Sequence, residues 1–286
     1  MISKLGKKIG EGGCSEVFEW DGAGKIVKLA KPNTSLAALQ AELHHSRIAR
    51  ECGLPVPQPY ELVHIGGRSG IVFERIYGES IMERFINGIL QPSSPQQPLT
   101  VYDDYNDVLA TAQLLYQIHT HSMSNMPSQR DNLKYDIRRA HYLSETDKTA
   151  VINQLNQLPL KHQLCHGDPN PNNILFRNNE AVIIDWNNAS IGNPEADLAE
   201  YIIMIGYAIL PDHLPSEAST ALNATRENII TIFMDEYERL SGISYADIEP
   251  WIIPVAARKL SADGISEKEK NLLVNEIKKG LRCTSL

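Results

Sequence analysis

The chain divides into a strand-patterned beginning and a helix-patterned remainder, and this division constrains the fold more than any other feature. Over residues 1 to 76, short apolar runs surround a single helical segment. Leu5 to Gly10, Glu16 to Trp20 and Lys25 to Leu29 read as strands, with Asp21-Gly22-Ala23-Gly24 as the turn between the last two. Tyr60 to His64 and Gly70 to Glu74 read as two more, joined through Gly66-Gly67. Ser35 to Cys52 carries Leu36, Leu39 and Leu43 as an apolar stripe, with Asn33, Thr34 and Ser35 as candidate N-caps and Gly53 as the stop before Pro55 and Pro57.

After Tyr77-Gly78 the pattern becomes helical. Tyr102 to His119 places Val108, Ala112, Leu115 and Ile118 at helical spacing. Leu143 to Leu158, Ala196 to Leu210, Glu227 to Leu240 and Lys268 to Leu281 are further helices, while Asn87 to Pro98, with Gly88 and three prolines, reads as a loop. There is no internal repeat. The expected architecture is α+β: a small antiparallel lobe with one helix over residues 1–76, and a larger helical lobe over 77–286.

A chain of 286 residues buries about 75% of its unfolded surface and needs no covalent staple. Cys14, Cys52, Cys165 and Cys283 are scattered and fit a reducing compartment. The first residues contain no apolar run, and the longest one, Tyr201 to Leu210, is too short to cross a bilayer. A soluble, cytoplasmic protein without a membrane partner is expected. The formal charge of −8 argues against nucleic acid and would suit a cationic small substrate.

The chemistry concentrates in Leu164-Cys165-His166-Gly167-Asp168-Pro169-Asn170-Pro171-Asn172-Asn173-Ile174-Leu175, followed by Val182-Ile183-Ile184-Asp185-Trp186. Asn173 stands five residues after Asp168, and Asp185 a further twelve on. Ile174 to Arg177 and Ala181 to Ile184 flank Asn178-Asn179-Glu180 as a β-hairpin, which brings Asn173 and Asp185 to one end. Asn173 offers a neutral oxygen and Asp185 an anionic one, both hard ligands for Mg²⁺. Asp168 suits the carboxylate that orients a hydroxyl and takes its proton. This is the order in which nucleotide-dependent phosphotransferases of the kinase fold present these groups.

Upstream, Ile9-Gly10-Glu11-Gly12-Gly13-Cys14-Ser15-Glu16-Val17 is a glycine-rich turn between two strands, where backbone N–H groups can approach phosphate oxygens. It matches the protein-kinase loop at Gly10, Gly12 and Val17. Gly13 adds freedom, and Ser15 stands where a third glycine would be, so its hydroxyl or N–H would make the contact there. No Gly-Lys-Ser or Gly-Lys-Thr follows, which excludes a Walker A loop. Alternation puts Ile26 and Lys28 on one strand face, making Lys28 rather than Lys25 the candidate phosphate lysine. Glu42 and Glu51 are the acids of the following helix. Glu51 falls in its last turn, which leaves Glu42 to fix Lys28. Backbone groups from Glu74 to Ile76 would meet the nucleotide base, with Ile9, Val17, Ile26 and Phe73 around it. His44-His45 and His119 to His121 lack partners at metal-ligand spacing.

At these positions the chain resembles the aminoglycoside phosphotransferase and choline-kinase-like family, small-molecule relatives of protein kinases. The resemblance rests on His166, Gly167, Asp168 and Asn173, on Ile184, Asp185 and Trp186, on Gly192, Asp197, Leu198 and Ala199, and on Gly53-Leu54-Pro55-Val56-Pro57. Asn170 departs from it, standing where many members have His. The resemblance implies a protein-kinase-like fold, ATP or GTP with Mg²⁺, and transfer to a hydroxyl of a small molecule. The acceptor would be an aminoglycoside or another metabolite such as choline, homoserine or a sugar; a nucleotide-binding pseudokinase is the alternative of another class. Only twelve residues separate Asp185 from Asp197 and no Ala-Pro-Glu follows, so a protein substrate is not expected. Asp212, Asp235, Glu236 and Glu238 are the acids that would read an amine-bearing acceptor.

Overall fold

The computed structural model describes residues 4–90, 105–210, 214–262 and 264–283. In chain order the first elements are β1 (Leu5–Glu11), β2 (Ser15–Trp20), β3 (Lys25–Ala30), α1 (Leu36–Glu51), β4 (Pro59–Ile65) and β5 (Arg68–Glu74). Then come β6 (Glu79–Ser80), α2 (Ile81–Leu90), α3 (Asn106–His119), α4 (Gln129–Arg139), α5 (Glu145–Gln157) and β7 (Gln163–Cys165). The last are β8 (Ile174–Arg177), β9 (Glu180–Ile183), β10 (Ser190–Gly192), α6 (Pro194–Tyr207), α7 (Ser216–Ser241), α8 (Tyr245–Lys259) and α9 (Glu267–Cys283). Two compact units emerge: Met1–Glu79 with Asn173–Ala189, and Ser80–Asn172 with Ser190–Leu286.

The first unit is built on a five-stranded antiparallel sheet in the order β1-β2-β3-β5-β4. Alternation along β3 splits its side chains. Val27 and Leu29 pack with Trp20 and Val72 on one face, while Ala30, Ile71, Phe73 and Ile26 meet Leu39 and Leu43 of α1 on the other. Ser35 caps α1 by accepting the Ala38 N–H at 3.2 Å. Gly53 then turns the chain at φ +77°, and the Pro55 carbonyl accepts the Ile183 N–H at 2.9 Å. That bond ties the Gly53-Leu54-Pro55 segment to the β8–β9 hairpin. The hairpin closes through Asn178 and Asn179, both at positive φ, as the two-residue turn suited to twisted strands requires. Gly78 lets the chain pass close by: a Cβ there would lie 2.0 Å from the Phe176 carbonyl oxygen.

The second unit is helical, apart from β7 paired antiparallel with β10. Its centre is α6, in which every residue from Pro194 to Ile205 is buried, and which packs on α7 and α8. The segment expected as a loop from Asn87 is corrected at its start, because α2 runs on to Leu90. Gly88 has open space around it, so its helix cost of about 1 kcal/mol is met by burying Phe85 and Ile89. The rest of that segment lies outside the described residues. The helix expected over Glu227 to Leu240 begins earlier, at Ser216, because Ala218, Ala221, Leu222 and Thr225 are buried along its first turns.

Candidate active site

In the first unit, three predicted residues converge. The Lys28 ammonium donates to Glu42 Oε1 at 2.6 Å and to Asp185 Oδ1 at 3.0 Å. The side chains are 12%, 2% and 34% exposed, so the ion pair sits at the edge of the core. Burial alone would discharge the ammonium. Asp185 and Glu42 outweigh it and hold Lys28 above its ordinary value. Glu42 reaches inward from α1 on the sheet face that alternation assigns to Lys28, and its Oε2 has no hydrogen-bond partner.

Asp185 itself is left-handed, at φ 66° and ψ 65°, a conformation Asp tolerates better than most residues. The 3-10 turn that follows, Trp186–Asn188, is locked to α1: His45 Nδ1 lies 3.1 Å from the Trp186 carbonyl, and the Trp186 side chain is fully buried. Asn187 donates to the same Asp185 oxygen as Lys28. Asn173 stands one position before β8, and its carbonyl accepts the Ile184 N–H at 2.9 Å. The hairpin register therefore sets Asn173 beside the residue preceding Asp185.

The glycine-rich turn is braced from behind. Gly12 N–H bonds to the Ser15 carbonyl, and the Cys14 carbonyl accepts both the Lys31 N–H at 2.9 Å and the Thr34 hydroxyl at 2.8 Å. Lys31 and Lys8 hold Glu11, whose carboxyl falls to about 2. Gly12 and Gly13 are exposed, Gly10 pairs with Val17, and Ser15 is buried at the start of β2. Glu74 is heavily engaged. Its N–H goes to the Gln58 carbonyl, and its carboxylate takes the Gln58 N–H and Arg177. Ile76 lies two residues past the end of β5.

In the second unit, the backbone before Asp168 is held by Asp197 of α6. Asp197 Oδ2 accepts the His166 N–H at 2.6 Å and Oδ1 accepts the Gly167 N–H at 3.0 Å. Gly167 adopts φ +77°, and the Asp168 carbonyl accepts the Asn170 N–H at 2.7 Å. Asn170, the departure from the family pattern, uses its Oδ1 to accept the Asn172 N–H, which folds the loop into its 3-10 turn. Behind Asp197 lies His119, with Nε2 at 3.3 Å from Oδ2 and Nδ1 at 2.7 Å from the Tyr237 hydroxyl. Burial pushes the Tyr237 phenol well up, so it donates to Nδ1 and leaves Nε2 to carry the hydrogen toward Asp197. His119, Cys165 and Asp197 place ligand atoms within 4.8 Å of one another, but both Asp197 oxygens are already accepting backbone N–H bonds.

The sequence matches the phosphotransferase enzyme family over residues 10–240. The chain belongs to that family. Among curated proteins, none matches it by sequence. Its fold is shared with the apo thermostable mutant of aminoglycoside phosphotransferase APH(4)-Ia, at 15% identity and TM-score 0.63 over 99% of this chain and 95% of that one. The amicoumacin kinase hAmiN compares at 14% identity and TM-score 0.62 over 99% and 90%. Choline kinase LicA from Streptococcus pneumoniae compares at 16% and 0.63 over 98% and 93%. The architecture is thus the kinase-like α+β fold, and the protein is a phosphotransferase by family.

Within this phosphotransferase, sequence reasoning missed His119, Tyr237 and Arg258. His119 contacts Asp197, Tyr237 contacts His119, and Arg258 donates to the Gly167 carbonyl; each comes from a distant helix, with no local motif to announce it. Of the acids expected to read an acceptor, Asp212 lies outside the described residues. Glu236 is engaged by Arg239 and Gln113, which lower its carboxyl to about 2, and Asp235 and Glu238 are exposed. Among the described residues, no helix is long and apolar enough to cross a membrane.

Proposed function

We propose that the phosphotransferase moves the γ-phosphoryl group of ATP, with Mg²⁺, to a hydroxyl of a small molecule. The observation that carries this reading is the Lys28 ammonium held between Glu42 and Asp185. A lysine so fixed presents a permanent, oriented cation to a triphosphate, with little entropy left to lose on binding. The turn containing Gly10, Gly12 and Gly13 would approach the phosphates through its exposed Gly13 end, since the Gly12 N–H is already bonded to the Ser15 carbonyl, with Ser15 and Val17 shaping the turn. The backbone from Glu74 to Ile76 meets the base; because the Glu74 N–H is engaged, the Ile76 end makes that contact.

The donor set fits a hard divalent cation, since Asn173 and Asp185 supply one neutral and one anionic oxygen. When bound there, Mg²⁺ would neutralise charge building on the transferred group. Asp168 orients the acceptor hydroxyl and takes its proton as the acceptor oxygen bonds to the γ-phosphorus and the bond to the β–γ bridging oxygen breaks. Asp185 keeps its carboxylate aimed through Lys28 and Asn187.

The similar structures include APH(4)-Ia with ADP and hygromycin B, and hAmiN with AMP-PNP, Ca²⁺ and Ami. Aminoglycosides, amicoumacin, choline, homoserine and sugars therefore form the acceptor panel, and the net charge of −8 favours its cationic members. The test is ADP release and ³¹P detection of a phosphate monoester across that panel, with ATP or GTP and Mg²⁺. Asp168→Ala should abolish transfer while ADP binding persists by calorimetry. Unchanged turnover in that variant would sink the mechanism.

A further inference from the structure

Gly167 has both of its backbone polar groups held by side chains from elsewhere in the second unit. Asp197 of α6 accepts its N–H at 3.0 Å, and Arg258 of α8 donates from Nη2 to its carbonyl at 3.3 Å. Glycine is the residue with the most backbone freedom to lose, so contacts at both groups decide which way the next residue points. The next residue is Asp168. We infer that Arg258 is a positioning residue for Asp168, gripping the Gly167 carbonyl while Asp197 grips the amide.

The rest of the Arg258 environment supports this role over that of a plain buried ion pair. Nη1 lies 3.2 Å from Glu200 Oε2 on α6, and Nε lies 3.6 Å from Asp136 Oδ2 on α4. Glu200 already has Lys259 at 3.1 Å on its other oxygen, so Arg258 is not required to neutralise it. What Arg258 adds is its fork, anchored on Glu200 and extended to the loop, a geometry that a lysine cannot reproduce. Burial opposes its charge, but Glu200, Asp136, Asp168 and Asp197 outweigh burial and keep the guanidinium cationic. Its side chain is 17% exposed, so the charge-assisted bond to Gly167 is largely shielded from competing water.

The inference rests on the reading of Asp168 as the group that orients the acceptor, and the test separates the two. Arg258→Lys keeps the charge and a partner in Glu200 but cannot span both contacts. We expect folding and nucleotide KM to hold within about twofold. kcat should fall about 10- to 100-fold, as for loss of one charge-assisted hydrogen bond at the reacting group. Hydrogen–deuterium exchange of residues 164–170 should quicken, a readout that needs no acceptor. Arg258→Gln, which keeps a donor but no charge, serves the same test should the lysine variant not fold. Unchanged exchange and unchanged kcat would overturn the inference. So would a loss of kcat that only tracks the folded fraction or a rise in nucleotide KM. A wild-type protein that phosphorylates no acceptor refutes the phosphotransfer reading, whereas exchange that quickens in Arg258→Lys still establishes that Arg258 holds the loop.

Discussion

Lys28→Met separates what the buried ion pair does for folding from the nucleotide contact proposed for it. Methionine fills the volume of the lysine stem but removes the charge. Glu42, 2% exposed and with Oε2 already unpartnered, is then left without its cation. Stranding one member of a buried pair costs about 3–5 kcal/mol. For a chain of this size that is a fall in Tm of roughly 5–15 °C at pH 8. Asp185 contributes less to this loss, because it is 34% exposed and keeps Asn187. The pH dependence has a definite sign. Burial already pushes the Glu42 carboxyl up, and Lys28 opposes that push. In the variant the folded-state value rises further, so the penalty is present above it and disappears as pH falls toward the unfolded value of 4.5. The Tm deficit should therefore be smaller at pH 5 than at pH 8.

The double variant Lys28→Met/Glu42→Leu completes the argument. Replacing a buried pair by apolar residues of similar volume is often neutral or stabilising, so Tm should recover at every pH. Affinity for ADP, measured by calorimetry, should not recover, because the cation proposed to meet the phosphates is gone in both variants. A single variant with wild-type Tm at pH 8, or a double variant that regains nucleotide affinity along with stability, would refute the reasoning.

Two further predictions concern buried groups outside the ion pair. His45 is 4% exposed, and burial pulls its imidazole below the usual 6.5 although the Trp186 carbonyl opposes this. A depressed value means that its contribution is complete above pH 6.5 and lost as pH falls through the folded-state value, so wild-type Tm should drop between pH 6.5 and 5 more steeply than that of His45→Gln; parallel curves would count against it. Burial, followed by Asp197 and Glu195, pushes the Cys165 thiol well up, so native labelling with a maleimide at pH 8, mapped by mass spectrometry, should modify exposed Cys14 and spare Cys165. Rapid modification of Cys165 in folded protein would show that the helices around it open readily.

What was legible in the chain, and what was not, follows from the range of the interactions. The β8–β9 hairpin could be read because its turn chemistry is local: Asn178-Asn179 adopts positive φ at both residues, and the apolar runs on either side fix the register that brings Asn173 toward Asp185. Lys28 and Glu42 could be paired because strand alternation and helix position each leave one sensible choice, and the buried contact at 2.6 Å follows from both. Helix α8 was not read, because Pro250 and Pro254 interrupt its pattern. Its one local signal was Ser244 with Asp247, which form a capping box. The prolines are tolerated because Ile248, Trp251, Pro254 and Val255 are buried, and tertiary packing of that kind overrides propensity. Helix α4 was equally silent: apart from Gln129, only Leu133 and Ile137 of its eleven residues are buried. Asp136 on α4 and Arg258 on α8 are therefore invisible to any argument from spacing, yet both belong to the charge network at the Gly167 carbonyl. The groups that perform a reaction are confined to short motifs because they must meet within a few ångströms. The groups that hold them in place need only reach the same backbone, and any helix that packs there can supply them.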